Sequence, residues 1–105
     1  MRSNEEVIAQ VKSIVHKHDA NATVILFGSR ARGDWHEESD WDFLILSDLP
    51  ECEDLKDKLR TDILHEIEWK TFECIQTIWH NKKVWIDDYG VTGIYQSIKE
   101  EGILL

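Results

Sequence analysis

Apolar residues recur at helical spacing in Val7, Ile8, Val11, Ile14 and Val15, and this single stripe predicts an amphipathic helix ending near His18. Ser3-Asn4-Glu5-Glu6 ahead of it is a capping box, in which Ser3 caps and Glu6 reaches back. The pattern then changes. Thr23 to Phe27 is a short apolar run with the length and composition of a buried strand. A second run, Trp41 to Leu46, alternates: Trp41, Phe43 and Ile45 share one face, while Asp42, Leu44 and Leu46 share the other with Asp40. The first set is expected under helices. A turn at Ser47-Asp48-Leu49-Pro50 precedes a second long helix, marked by Leu55, Leu59, Ile63 and Ile67 at four-residue intervals. Phe72 to Trp79 is rich in aromatic and β-branched residues and reads as a third strand, broken by Asn81-Lys82-Lys83. A helical turn at Val84 to Asp88 and a helix over Thr92 to Glu101 follow. Gly102 is the expected stop, and Ile103-Leu104-Leu105 an apolar tail against the domain.

Between the first two strands lies Phe27-Gly28-Ser29-Arg30-Ala31-Arg32-Gly33, then a polar loop from Asp34 to Glu38, then Ser39-Asp40-Trp41-Asp42. The unit reads as strand, Gly-Ser turn, short helix, loop, strand. The turn opens a helix whose unpaired amides and positive dipole end suit a phosphate. Gly28 allows close backbone approach, and Ser29 adds a hydroxyl donor. Arg30 and Arg32 are candidates to neutralise phosphate charge; for Arg32 an ion pair with Asp34 or Glu38 is an equal alternative. Asp40 and Asp42 project to one face and offer the hard oxygen ligands that magnesium prefers. A lone Asp-x-Asp is usually a solvated turn. Joined to a Gly-Ser turn across ten intervening residues, it points to chemistry on a metal–nucleotide.

Composition narrows the partners. A chain of 105 residues, 42% apolar, makes one domain over residues 1–105 with a modest core. The net charge of -9 argues against a general nucleic-acid surface, which needs a basic face. Cys52 and Cys74 lack CxxC spacing and read as reduced thiols. His16 and His18, two apart on a helix, read as solvated surface groups. With no apolar leader or long apolar span, a cytoplasmic protein with no membrane partner is expected.

The motif from Phe27 to Asp42 resembles the signature of the DNA polymerase β-like nucleotidyltransferase superfamily. It is most similar to the minimal nucleotidyltransferase (MNT) proteins, whose pattern is Gly-Ser, ten residues, Asp-x-Asp. The resemblance implies an α/β (α+β) fold, a small mixed sheet with helices packed on one face. It also implies Mg2+ and a nucleoside triphosphate, with ATP the expected one. Asp40 and Asp42 become metal ligands and catalytic residues, and Gly28 and Ser29 the phosphate-binding pair. The family commonly carries a third acidic residue inside the third strand, after a hydrophobic one. Glu73, preceded by Phe72, is the candidate to complete the catalytic and metal set, with Glu68 next; neither lies in a sharp motif.

Larger superfamily members append a helical domain for base or acceptor, and 105 residues leave no room for it. The acceptor surface is therefore expected from a partner or from a second copy in a homo-oligomer. MNT proteins are often encoded beside a helical HEPN protein, and some are antitoxins that adenylylate or sequester it. The leading expectation is a magnesium-dependent enzyme moving AMP onto a hydroxyl of a protein or small molecule. Its rival is a catalytically weak binding module that sequesters a helical partner, and Glu73 is the residue that separates the two. An aminoglycoside-modifying enzyme acting alone is disfavoured. Trp41 is expected in the core; Trp35, beside the site, either packs the loop or stacks on a nucleobase.

Overall fold

A computed structural model describes residues 4–36 and 38–105, so Ser3 of the capping box lies outside the described residues. The helix α1 spans Asn4–His18 and buries Val7, Val11, Ile14 and Val15, the stripe read from the sequence. Strand β1, Thr23–Phe27, leads through Gly28 into a single-turn helix α2, Ser29–Arg32. Strand β2, Trp41–Ser47, follows the loop. Then come α3, Glu53–Ile63, a π-helical turn, Leu64–Glu68, and α4, Trp69–Thr71. Strand β3 is Ile75–Asn81, α5 is Lys82–Tyr89, α6 is Gly93–Glu101 and β4 is Ile103–Leu104.

The four strands form a mixed sheet in the order β3-β2-β1-β4. β2 pairs antiparallel with β1 and parallel with β3, so it is central on both sides. Its alternation divides the interior. Trp41, Phe43 and Ile45 join α1, α3 and Trp79 in the larger core. Leu44 faces the other way, into a smaller cluster with Trp85 of α5 and Ile98 of α6. The fold class is the one expected. The helices are not confined to one face as expected: α1 and α3 cover one, and α5 and α6 partly cover the other.

The long helix departs from the sequence reading in an instructive way. Residues four apart drift by about 40° per step on a helix of 3.6 residues per turn. A stripe from Leu55 to Ile67 would therefore wander off the core. The π-helical turn, with its wider i→i+5 closure, absorbs that drift, and Ile67 is as fully buried as Ile63.

Phe72 is where the strand reading fails. It ends α4 in the left-handed region, φ 60°, with its ring 94% exposed. β3 consequently starts at Ile75, not Phe72, and Glu73 sits in the connection before it. Asn81 closes β3 and caps α5 by accepting from the amides of Lys83 and Val84. The apolar tail is an edge strand, paired with Ile25 and Leu26, and Leu104 remains largely exposed. The two histidines are tied down: His16 contacts the carbonyl of Ala22 at 3.1 Å, and His18 meets Asp62 at 2.7 Å. Cys52 and Cys74 are exposed and unbridged. Among the described residues no helix is long and apolar enough to cross a membrane.

Two substitutions test this account of the long helix. Ile67→Ala should cost about 2–4 kcal/mol, the usual penalty for emptying a filled core position. Phe72→Gly should do the reverse and stabilise by about 0.5–1 kcal/mol, because it relieves left-handed strain at a ring that packs on nothing. Urea denaturation of the two variants checks both signs.

Candidate functional site

The chain enters the site at Gly28, whose φ of 76° and ψ of -160° lie where side chains are rarely tolerated. A second reason for glycine is spatial. A Cβ built there would collide with Oδ2 of Asp42 and lie 3.2 Å from its Cγ. Asp42 is set opposite Phe27 on β1 and Gln76 on β3, at the start of the central strand. Its carboxylate therefore lies directly against the Gly-Ser turn. Asp40, two residues earlier, is exposed.

Gly28, Ser29, Arg32, Asp40 and Asp42 line one open cleft of about 610 Å³. Its far wall is the loop, through Asp34, His36, Glu38 and Ser39. The loop holds its shape by local bonds. The Ser39 hydroxyl accepts from the amide of His36 at 2.9 Å, and the Ser39 amide donates to the His36 carbonyl at 2.9 Å. The carboxyl of Asp42 is pushed above the usual aspartate range, first by burial and then by the like charge of Asp40, with Arg32 opposing. A divalent cation would relieve both penalties, and the donor set is hard oxygen. The pair fits a magnesium-like ion. Among the described residues, however, no third histidine, cysteine or carboxylate joins it in a group able to hold a metal.

Two expected site residues are elsewhere. Arg30 leaves α2 toward the opposite side and is 8% exposed. Its guanidinium donates to Asn4 Oδ1 at 3.2 Å and to the Ser39 carbonyl at 3.0 Å. It lies between two indoles, 4.5 Å from the Trp35 ring and 4.4 Å from that of Trp41. Glu73 completes this cluster: its Oε2 is 3.5 Å from Arg30 and accepts from Trp41 Nε1 at 3.1 Å. Trp41 faces the core while Asp42 faces the cleft, so Glu73 lies across the strand from the aspartate pair. On these contacts neither Glu73, expected as the third ligand, nor Arg30, expected at the phosphate, lies in the cleft with Asp40 and Asp42. Glu68, the other candidate, accepts from the Ile75 amide through its Oε2 at 3.5 Å.

Arg32 does reach the cleft. It pairs with Asp34 at 3.3 Å and with Glu101 of α6 at 3.2 Å, the second partner unforeseen. The hydrogen bond to Glu101, then that to Asp34, raises its pKa, so it stays charged. Trp35 packs over Arg30, the loop-packing alternative of the two. The residue that sequence reasoning missed is Arg30 as a clasp, joining α1, the loop and β2. The one available signal was its position beside two tryptophans in a short motif.

Residues 8–105 match the nucleotidyltransferase domain family. The chain belongs to that family. The resemblance to the nucleotidyltransferases thus holds, and the protein is a nucleotidyltransferase by family. Two solved structures share the fold across 97% of this chain and 72% of theirs. One is a toxin–antitoxin with AMP-PNP, at a TM-score of 0.64 and 16% identity. The other is the toxin–antitoxin MntA-HpeT, in a mutant with two aspartate-to-glutamate substitutions, at a TM-score of 0.63 and 14% identity. No curated protein matches the chain.

The site makes two predictions about the ligand-free protein. A raised carboxyl pKa means that the fold favours protonated Asp42, a contribution lost as pH rises through that pKa. Asp42→Asn should therefore raise the melting temperature at pH 7 by about 1–4 °C, and the gain should shrink toward zero below pH ~4. Thermal melts at both pH values check the sign. Arg30→Ala should cost about 2–4 kcal/mol, because it strands Glu73 and frees the loop. Arg32→Ala should leave the denaturation midpoint near that of the wild type.

Proposed function

We propose that residues 1–105 act as one nucleotidyltransferase domain that binds a magnesium–nucleoside triphosphate, ATP by preference, and transfers AMP to a hydroxyl group. The observation that carries this reading is the contact between Asp42 and Gly28, which sets a carboxylate pair against an anion-accepting turn. Gly28 and Ser29 receive the terminal phosphates, and Arg32 exchanges a carboxylate partner for phosphate oxygen. Asp40 and Asp42 hold the divalent ion, which supplies charge neutralisation on the phosphates. The acceptor oxygen forms its bond to the α-phosphorus as the bond to the β-phosphate oxygen breaks. Pyrophosphate leaves, and the hydroxyl proton passes to solvent or to a base on the acceptor.

The mutated residues in MntA-HpeT are two aspartates two positions apart. Asp40 and Asp42 have the same spacing, and one neighbour was crystallised with AMP-PNP. Both facts support a nucleotide site here. The toxin–antitoxin setting of both neighbours supports a cytoplasmic antitoxin whose acceptor is a helical, HEPN-type partner protein. An open cleft of this kind leaves the acceptor to be presented by that partner or by a second copy of the chain. A second reading has its own observation. With Glu73 held by Arg30 and Trp41, the aspartate pair lacks a third arm among the described residues, which favours sequestration of the partner over its modification.

The deciding assay combines the protein, Mg2+ and ATP with and without the partner and weighs each chain by mass spectrometry. The transferase reading expects a gain of one AMP on the partner, absent with Asp42→Asn. Sequestration gives a complex with unchanged masses that forms equally well with Asp42→Asn. Calorimetry should show ATP binding that requires Mg2+ and falls at least tenfold in the Asp40→Asn, Asp42→Asn double variant. Equal binding with and without Mg2+ overturns the nucleotide site altogether.

A further inference from the structure

β2 and β3 run parallel with Asp42 beside Gln76 and Trp41 beside Ile75. Partners in a ladder share a face. Trp41 and Ile75 both lie in the larger core, so Gln76 stands on the cleft side with Asp42. It is exposed and not committed to the fold; its only described bond is a weak one from Nε2 to Cys74 Sγ at 3.6 Å. A third carboxylate on the strand neighbouring the aspartate pair would have to project from this face of β3, and the sequence places a neutral carboxamide there. Cys74, the other residue of β3's approach on that side, carries a soft thiol that magnesium does not favour.

Glu73 is one residue out of phase with this face. Its engagement with Arg30 and Trp41 is the geometric consequence. Two ions held about 3.5–4 Å apart need carboxylate oxygens enough to bridge them and to anchor the second. Asp40 and Asp42 supply two negative charges, enough for one ion shared with a triphosphate.

We infer that this chain seats a single divalent ion, the one that travels with the nucleotide, and that Gln76 occupies the position from which a second would be held. The inference rests on the nucleotide site proposed above and goes beyond it. The chain is a donor half-site: it holds and neutralises the triphosphate, and it has no seat for an ion that would ionise the acceptor. Deprotonation of the acceptor falls to groups on the acceptor's own side.

The test counts ions. The full chain is titrated with Mn2+ in the presence of a non-hydrolysable ATP analogue, and bound ions are read by electron paramagnetic resonance. Wild type is expected to bind one Mn2+ per chain with no spin coupling, and Glu73→Gln likewise one. Gln76→Glu keeps the shape and adds the charge; it or the shorter Gln76→Asp should bind two, with a dipolar-coupled signal. Two coupled ions in wild type overturn the inference while leaving the nucleotide site intact. One ion in both Gln76 variants also overturns it, because Gln76 then does not occupy the second seat. No nucleotide-dependent Mn2+ in wild type overturns the nucleotide site itself, and the inference with it.

Discussion

The alternation of β2 is the constraint on which the rest of the molecule depends. Trp41 is buried at 1% exposure beneath α1 and α3, and its neighbour Asp42 must then face the other way, onto Gly28. A slip of one residue would put Asp42 into the core and Trp41 into the cleft. The cost of burying an unpaired carboxylate against the apolar side chains of α1 and α3, such as Val11 and Ile63, forbids that register. Core packing and site geometry are therefore one decision. The central place of β2, bonded on both sides, removes the freedom to repack the site by shifting an edge strand.

The second layer of support is the clasp around Arg30. Seven residues separate Gly33 from Trp41, and a polar loop of that length has no core of its own to fix it. Arg30 supplies the fixed point by gathering the Ser39 carbonyl, Asn4, Glu73 and two indole faces. The loop's last residues are held there, one position before Asp40. A charged group buried this way is costly, and its Nε lacks a hydrogen-bond partner among the described residues, so the cluster is better understood as specifying the loop than as adding stability.

Much of this was legible locally. The α1 stripe, the faces of β2 and the Gly-Ser and Asp-x-Asp pairs depend on residues close in sequence, where period and turn chemistry decide the outcome. The errors came where distant contacts decide. Phe72 and Glu73 have the look of strand residues, yet the helix before them runs on through a π-helical turn and ends in a left-handed Phe72. That delays β3 by three residues and removes Glu73 from it. The register of β2 against β3 spans more than thirty residues of chain, and only the register reveals that Gln76, not an acid, lies beside Asp42. Arg30 and Arg32 are indistinguishable in the motif. They differ in which side of a single helical turn each leaves by, and the tertiary fold sets that.

Charge gives the arrangement its last turn. At a net -9 the chain does not draw a triphosphate from solution by its overall field, and near the cleft Arg32 is already shared between Asp34 and Glu101. Two acids and a polyanion brought together without a counter-ion would repel strongly. On the proposed reading, the divalent ion is thus the term that makes nucleotide binding favourable at all. It also reverses the sign of Asp42: a group that opposes its own ionisation in the free fold becomes a ligand whose charge is compensated. A protein built this way gives up stability at an empty site and recovers it when metal and nucleotide arrive together.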